Sequence, residues 1–255
     1  MEKSYRNIAY FFGAVATLVF IGFFRSYFGL FPNFEGIKTL LHYHAAVMIS
    51  WLVLLIIQPV LIKQKKYTIH RYIGIFSYFL VPVIIAVMLL VYKGQYERLD
   101  GVIPHEANLA VLFVPLTDVL PFTIFYILAI ANQKNIGKHM RYMIATAIVV
   151  LSAGIFRIIL YVFGTDPDAT FKIVGLVLIA CFIGFIVFDK MKGKSVATNA
   201  FTTAAVIFAI PNLLLFVIPQ TQAWQSVAET VVENFLSLEL KENLLCIKPI
   251  TQPPL

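Results

Sequence analysis

The 255-residue chain is 60% hydrophobic and only 13% charged, with a mean hydropathy of +0.86. A soluble domain carries roughly 45–50% apolar and about 25% charged residues, so this composition excludes an ordinary water-soluble fold and reads as a membrane protein. The net charge of +7 comes mostly from Lys and Arg in short loops between apolar runs, a pattern of cytoplasmic loops rather than of a nucleic-acid surface.

A bilayer core takes roughly 20 apolar residues per helix, and only helices or closed barrels satisfy the backbone in lipid. The apolar runs here are continuous rather than alternating, which selects helices. The sequence predicts an all-α membrane protein, a seven-helix transmembrane bundle over residues 1–218 with no second domain. The first span, 8–30, follows MEKSYRN; no small-residue cleavage site precedes Arg25, so an uncleaved span is expected rather than a signal peptide. Span two, 38–62, leads into Lys63, Lys65, Lys66 and Arg71, and span three covers 70–92. The loop 93–105 mixes Lys93 and Arg98 with Glu97 and Asp100. Span four, 106–132, is followed by Lys134, Lys138 and Arg141, and span five covers 139–163. After TDPDAT at 165–170 come span six, 171–189, the cluster Lys190, Lys192 and Lys194, and span seven, 199–218. The basic loops alternate with poorer ones, so the positive-inside rule puts the N-terminus in the cytoplasm and the C-terminus outside, as in a bacterial cytoplasmic membrane. In the polar tail, 219–255, Trp224, Val227, Val231 and Phe235 repeat at helical spacing, predicting an amphipathic helix over 223–238 on the membrane surface or against the bundle; 249–255 reads as unstructured. Cys181 and Cys246 form neither a metal nor a redox spacing, and no disulfide framework is expected.

The five histidines sort by this orientation. His42, His44 and His105 open spans that start outside, whereas His70 and His139 open spans that start inside. At about 100° per residue, His44 shares one stripe of span two with Met48, Trp51 and Gln58, while His42 lies about 160° away, so His44 is the one expected to face the interior. Gln58-Pro59 reads as a bend in that span. From His70, Gly74 and Ser77 share a face; from His139, Thr146 and Arg157 do. Ionisable residues within spans usually face protein or water, which marks Asp118 and Arg157. Counted along straight helices at about 1.5 Å per residue, Arg157 falls near the outer histidines and Asp118 nearer the inner ones.

The stretches HAAVMISWLVLLIIQPVLI, HRYIG and KHMRYMIATAIVVLSAGIFRIIL resemble a bacterial family of multi-pass membrane proteins with no assigned activity. The resemblance covers roughly residues 42–160 and carries over His44, Gln58, His70, Arg71, Gly74, His139 and Arg157. A second similarity is to diheme transmembrane cytochromes of the ascorbate-reducing b type, which hold two hemes among four helices. It implies heme b between His44 and His105 and between His70 and His139, transmembrane electron transfer, and a quinone or small redox partner. Arg157 outside, and Arg71 or Arg141 inside, would then meet the propionates. This chain departs from those cytochromes in its seven spans, its extra His42 and histidines nearer the helix ends.

Other readings stay open. The histidines could be interfacial or structural only. A metal-binding membrane protein would use the same imidazoles. A small-molecule or ion transporter would place Asp118, Thr117 and Asn212 near helix breaks at Pro82, Pro115, Pro121 and Pro211. A zinc hydrolase lacks an HExxH spacing, and phosphate loops and Ser-His-Asp catalysis have no support in the chain.

Overall fold

A computed structural model describes residues 2–196 and 199–236, with side chains from 6 to 196 and from 199 to 234. The predicted Cys246, the tip of the 223–238 helix and the segment 249–255 lie outside the described residues. Among the described residues the chain is helical with no strand, and seven helical spans are long and apolar enough to cross a membrane. It is an integral, multi-pass membrane protein built as a seven-helix bundle.

The transmembrane helices are α1 (Glu2–Phe24), α2 (Thr39–Lys63), α3 (Tyr67–Leu99), the broken pair α4 (His105–Val111) and α5 (Pro115–Ala131), α6 (Ile136–Phe163), α7 (Pro167–Met191) and α8 (Ala200–Leu214). A short helix α9 (Gln222–Val231) follows, continued by a π-turn over Val232–Leu236. Local chemistry sets several ends. Asn135, Asp166 and Asn199 each accept a backbone N–H in the first turn of the helix they cap, and Pro167 fits the first turn of α7, where its missing N–H costs nothing. Gly164, at φ +63°, ends α6 in the left-handed conformation that glycine adopts without strain.

The alternation leaves two ends. The basic end holds the start of α1, the α2–α3 turn and the connections after α5 and α7. The opposite end holds the start of α2, the end of α3, all of α4 and α9. Helix α6 is the axis of the fold: it packs against α1, α2, α5, α7 and α8 and buries an unbroken run from Ile144 to Leu151. Large apolar side chains such as Phe79, Ile127 and Val162 stay exposed on the perimeter, an outer surface suited to lipid rather than water.

Three expectations are corrected. The loop 93–105 is mostly helix, because α3 continues to Leu99, with Lys93 and Glu97 3.7 Å apart on one face, and stops only at Asp100-Gly101. Span four is not continuous: at 112–114 the chain turns through i→i+3 hydrogen bonds before Pro115 starts α5. The buried face of α9 is Trp224, Ala228 and Val232 rather than Trp224, Val227 and Val231. It packs on α4: Trp224 Nε1 donates to the Leu109 carbonyl at 3.2 Å, and its ring meets Phe113 edge-on at 4.9 Å.

Candidate functional site

A chamber of about 1740 Å³ occupies the bundle from the α4–α9 end down to its middle. Its floor is apolar, formed by residues such as Leu52, Ile56, Phe122, Val149 and Phe208. Its deeper polar groups include His44 on α2, Tyr92 on α3, Thr117 and Asp118 on α5, Arg157 on α6 and Asn212 on α8, while Lys38, Arg98, Glu106, Asp166 and Asp168 line it at the α4–α9 end.

The arrangement follows from the helices upward. Helices α1 and α6 touch backbone to backbone at Gly22 and Gly154, where a side chain on either would collide with the other helix. That close approach sets Phe23 over Arg157, with the guanidinium carbon 3.8 Å from the ring centroid. Arg157 Nη1 donates to the Ala153 carbonyl one turn back at 3.0 Å. Both partners are neutral. The guanidinium lies within electrostatic reach of His44, Tyr92 and Tyr161.

Asp118 sits in the first turn of α5, after the break. Its Oδ1 accepts the Val119 N–H at 2.6 Å, and its Oδ2 accepts the Tyr92 hydroxyl. Tyr92 thus hydrogen-bonds the carboxylate and lies within electrostatic reach of the guanidinium. The gap that Pro121 leaves in the hydrogen bonding of α5 is filled from α8. Pro121 has no N–H to give the Thr117 carbonyl one turn back, and Asn212 Nδ2 donates to that oxygen at 3.2 Å instead.

The histidines divide differently from the sequence pairing. His44 lines the chamber, and its Nδ1 is buried with no hydrogen-bond partner among the described residues. His42 turns into the α1–α2 connection, where its Nδ1 meets the Tyr27 hydroxyl at 2.8 Å and its ring meets Phe34 edge-on. His105 does not line the chamber. It is exposed at the rim, 4.0 Å from Glu229 of α9, and is not brought opposite His44. Asp118 is also moved: it shares the chamber with Arg157 and His44 instead of lying with the inner histidines. Counting residues down a straight span four misplaces it, because that span turns at 112–114, and the chamber itself reaches mid-bundle.

At the basic end His70 and His139 come within electrostatic reach of each other. His139 Nδ1 lies 2.8 Å from the Ala129 carbonyl, where a protonated Nδ1 donates. Among the described residues His70 Nδ1 and Gln58 Oε1 are buried without hydrogen-bond partners, and Gln58 Nε2 donates to the His70 carbonyl at 3.2 Å. Gly74 faces Gln58, 3.8 Å from where a Cβ would stand. Arg71 is exposed. No family model, curated protein or solved structure matches the chain.

Arg141 is committed elsewhere. Its Nε and Nη2 donate to the two carboxylate oxygens of Asp189 at 2.7 and 3.2 Å, and Nη1 donates to the Gly137 carbonyl at 2.7 Å. Lys194 and Asn199 complete the Asp189 site, each at 2.9 Å. The sequence reading missed this network and also Tyr92. Asp189, an acid on the last turns of an apolar span, was the available signal. Tyr92 carried none, since a tyrosine near a span end is ordinarily an interface anchor.

The two heme sites of the cytochrome likeness fare unequally against these residues. The outer pair does not fit, because His105 points to α9. The inner pair offers two imidazoles within electrostatic reach of each other, and a carbonyl partner on His139 Nδ1 leaves Nε2 as the ligating nitrogen, as in metal-bound histidines generally. Its arginines fit less well, with Arg141 on Asp189 and Arg71 exposed. Among the described residues no group of three or more His, Cys, Asp or Glu forms a metal site.

Proposed function

We propose that this protein binds a small molecule in the chamber lined by helices α1 to α8, as the substrate site of a membrane transporter. The observation that carries this reading is the chamber itself: a guanidinium, an imidazole and a carboxylate–tyrosine pair face a space in the middle of an apolar bundle. Burying a charge in such surroundings costs several kcal/mol unless it meets water or an opposite charge. A mid-bundle site built beside a proline-broken span is the usual design of small transporters. In this reading the basic end faces the cytoplasm of a bacterial cell and the chamber opens outward.

The test uses the full chain with Cys181 and Cys246 replaced by alanine and one cysteine introduced, Met48→Cys on the chamber wall or Ile127→Cys on the perimeter. A water-soluble thiol reagent added to cells should modify position 48 and leave position 127 unmodified. A position 48 that stays unlabelled, with and without permeabilisation, removes the chamber as a ligand site.

A second reading rests on His70 and His139 lying within electrostatic reach at the basic end: a b-type heme ligated by both imidazoles, passing electrons between a quinone or other small redox partner and an acceptor. A bis-imidazole heme supplies one-electron transfer. The chain's own contribution would be to hold His139 in one tautomer through the Ala129 carbonyl and to leave space beside Gly74. Purified protein should then show a Soret band that His70→Ala and His139→Ala each abolish. Protein that contains no iron excludes this reading and leaves the chamber untouched.

A further inference from the structure

The chamber's chemistry is polarised along its length, and this deepens the transporter reading, on which it rests. Arg157 stands eight residues from Val149 along α6, a rise of about 12 Å, and both line the chamber. Below the guanidinium the wall is mainly aliphatic and aromatic: Leu52 and Ile56 on α2, Phe122 on α5, Val149 on α6 and Phe208 on α8. Above it the wall turns polar, with Tyr161, Arg98, Gln222 and Gln225 towards the mouth.

The charged groups on this wall are not equally satisfied. Asp118 has a donor on each oxygen, from Tyr92 and from Val119. The guanidinium carries five N–H donors, yet among the described residues its partners are one carbonyl and one ring face. The imidazole within its field, His44, keeps a buried Nδ1 free of any hydrogen bond. Among the described residues no carboxylate hydrogen-bonds Arg157 or His44, and the wall beneath them is apolar.

We propose that the ligand is a monoanionic amphiphile, whose acidic head lies between Arg157 and His44 and whose hydrocarbon tail runs down to Phe122 and Ile56. A single guanidinium balances one negative charge. The other cations on the wall, Lys38 and Arg98, lie at the mouth by the start of α2 and the end of α3, so a dianion held at Arg157 would bring its second charge towards Asp118 instead. The planar guanidinium fork matches a carboxylate or a phosphodiester oxygen pair equally, so a free long-chain acid and an acidic membrane lipid share the chemistry.

The experiment reads protection of Met48→Cys from thiol labelling, with the full-length protein in nanodiscs. In phosphatidylcholine discs oleate should slow labelling, whereas oleyl alcohol and butyrate at the same concentration should not. Arg157→Gln should raise the oleate concentration for half-protection tenfold or more. Arg157→Lys, which keeps the charge and loses the fork, should recover part of it, and Ile56→Trp, which fills the tail region, should abolish protection while Arg157 is intact. Protection that needs added oleate assigns a free acid; protection on replacing the phosphatidylcholine by phosphatidylglycerol, without oleate, assigns a membrane lipid. Oleyl alcohol or butyrate protecting as well as oleate, or an unchanged half-protection in Arg157→Gln, overturns the proposal, although the chamber then remains a ligand site. No protection by any amphiphile, together with an unreactive position 48, removes the transporter reading as well.

Discussion

Gly22 and Gly154 bring the backbones of α1 and α6 into contact: a Cβ on Gly22 would stand 2.7 Å from Gly154 Cα, and a Cβ on Gly154 would stand 2.9 Å from Val19 Cα. Close approach of small residues is a principal source of helix association in lipid, where burial of apolar surface offers little. The obstructing atoms are backbone, so neither site can yield by a rotamer change. Gly154→Val is therefore expected to lower the thermal midpoint in detergent sharply, beyond the ~1–3 kcal/mol usual for overpacking. Gly13→Ala and Gly184→Ala, where a Cβ meets nothing within 4 Å, serve as controls and should leave the midpoint nearly unchanged. Because Phe23 follows Gly22 directly, Gly154→Val should also loosen the ring from Arg157. Equal midpoints for Gly154→Val and Gly13→Ala would contradict the contact.

The Arg141–Asp189 pair joins the start of α6 to the end of α7, and Asn199 ties in the start of α8. Both side chains are nearly sealed, at 10% and 6% exposure, whereas Lys194 is 48% exposed. Removing one member of a buried pair leaves the other charge uncompensated and typically costs ~3–5 kcal/mol. An exposed partner is worth under about 1 kcal/mol. Asp189→Ala should destabilise far more than Lys194→Ala, measured as loss of folded protein on heating in detergent. Similar losses from the two variants would mean that Arg141 finds another anion.

Much of this architecture was legible in the sequence, and the failures share one cause. Seven apolar runs bounded by Lys clusters predict the spans, because in lipid the backbone must bond within each helix and composition alone marks the segments. The helical stripe of α2 separates His44 from His42 for the same reason: 100° per residue is local geometry. What depends on how helices meet was not legible. Asp118 was misplaced by the turn at 112–114. His105 was paired with His44 because both open spans at one end, and nothing in the sequence announces that α9 folds back to put Glu229 beside it. The Tyr92–Asp118 bond links residues 26 apart, and no spacing rule reaches across two helices.

Asn212 and Pro121 make a compensating pair that a double-mutant cycle can isolate. Proline deprives the Thr117 carbonyl of its helical donor, and Asn212 Nδ2 replaces that donor at 3.2 Å while also donating to the Phe208 carbonyl at 2.9 Å. Leaving a buried carbonyl unpartnered costs about 1–3 kcal/mol. Asn212→Ala should therefore destabilise the wild-type background, and by less in a Pro121→Ala background, where residue 121 regains an N–H for Thr117. Additive effects in the two single variants and the double would show that the two residues act independently.

The outward opening of the chamber is part of the proposed function; charge supplies the expectation, and the bundle's geometry makes it testable. Lys63, Lys65 and Lys66, then Lys134 and Lys138, then Lys190, Lys192 and Lys194 all fall at one end because the helices alternate. At the other end Lys172 sits 2.6 Å from Asp168, Lys93 lies 3.7 Å from Glu97, and Glu35, Asp100 and Glu106 add further negative charge. Orientation follows the count of Lys and Arg in short loops, with acids contributing little, and that count still favours the first end as cytoplasmic. In a chain freed of native cysteines, Lys65→Cys and Lys192→Cys should resist a membrane-impermeant thiol reagent in intact cells. Gly101→Cys and Asp168→Cys should react at once, and permeabilising the membrane should equalise all four. Reaction at 65 and 192 with protection at 101 and 168 would turn the chamber to the cytoplasm. Reaction at only one of 65 and 192 would refute the alternation that places the two loops together.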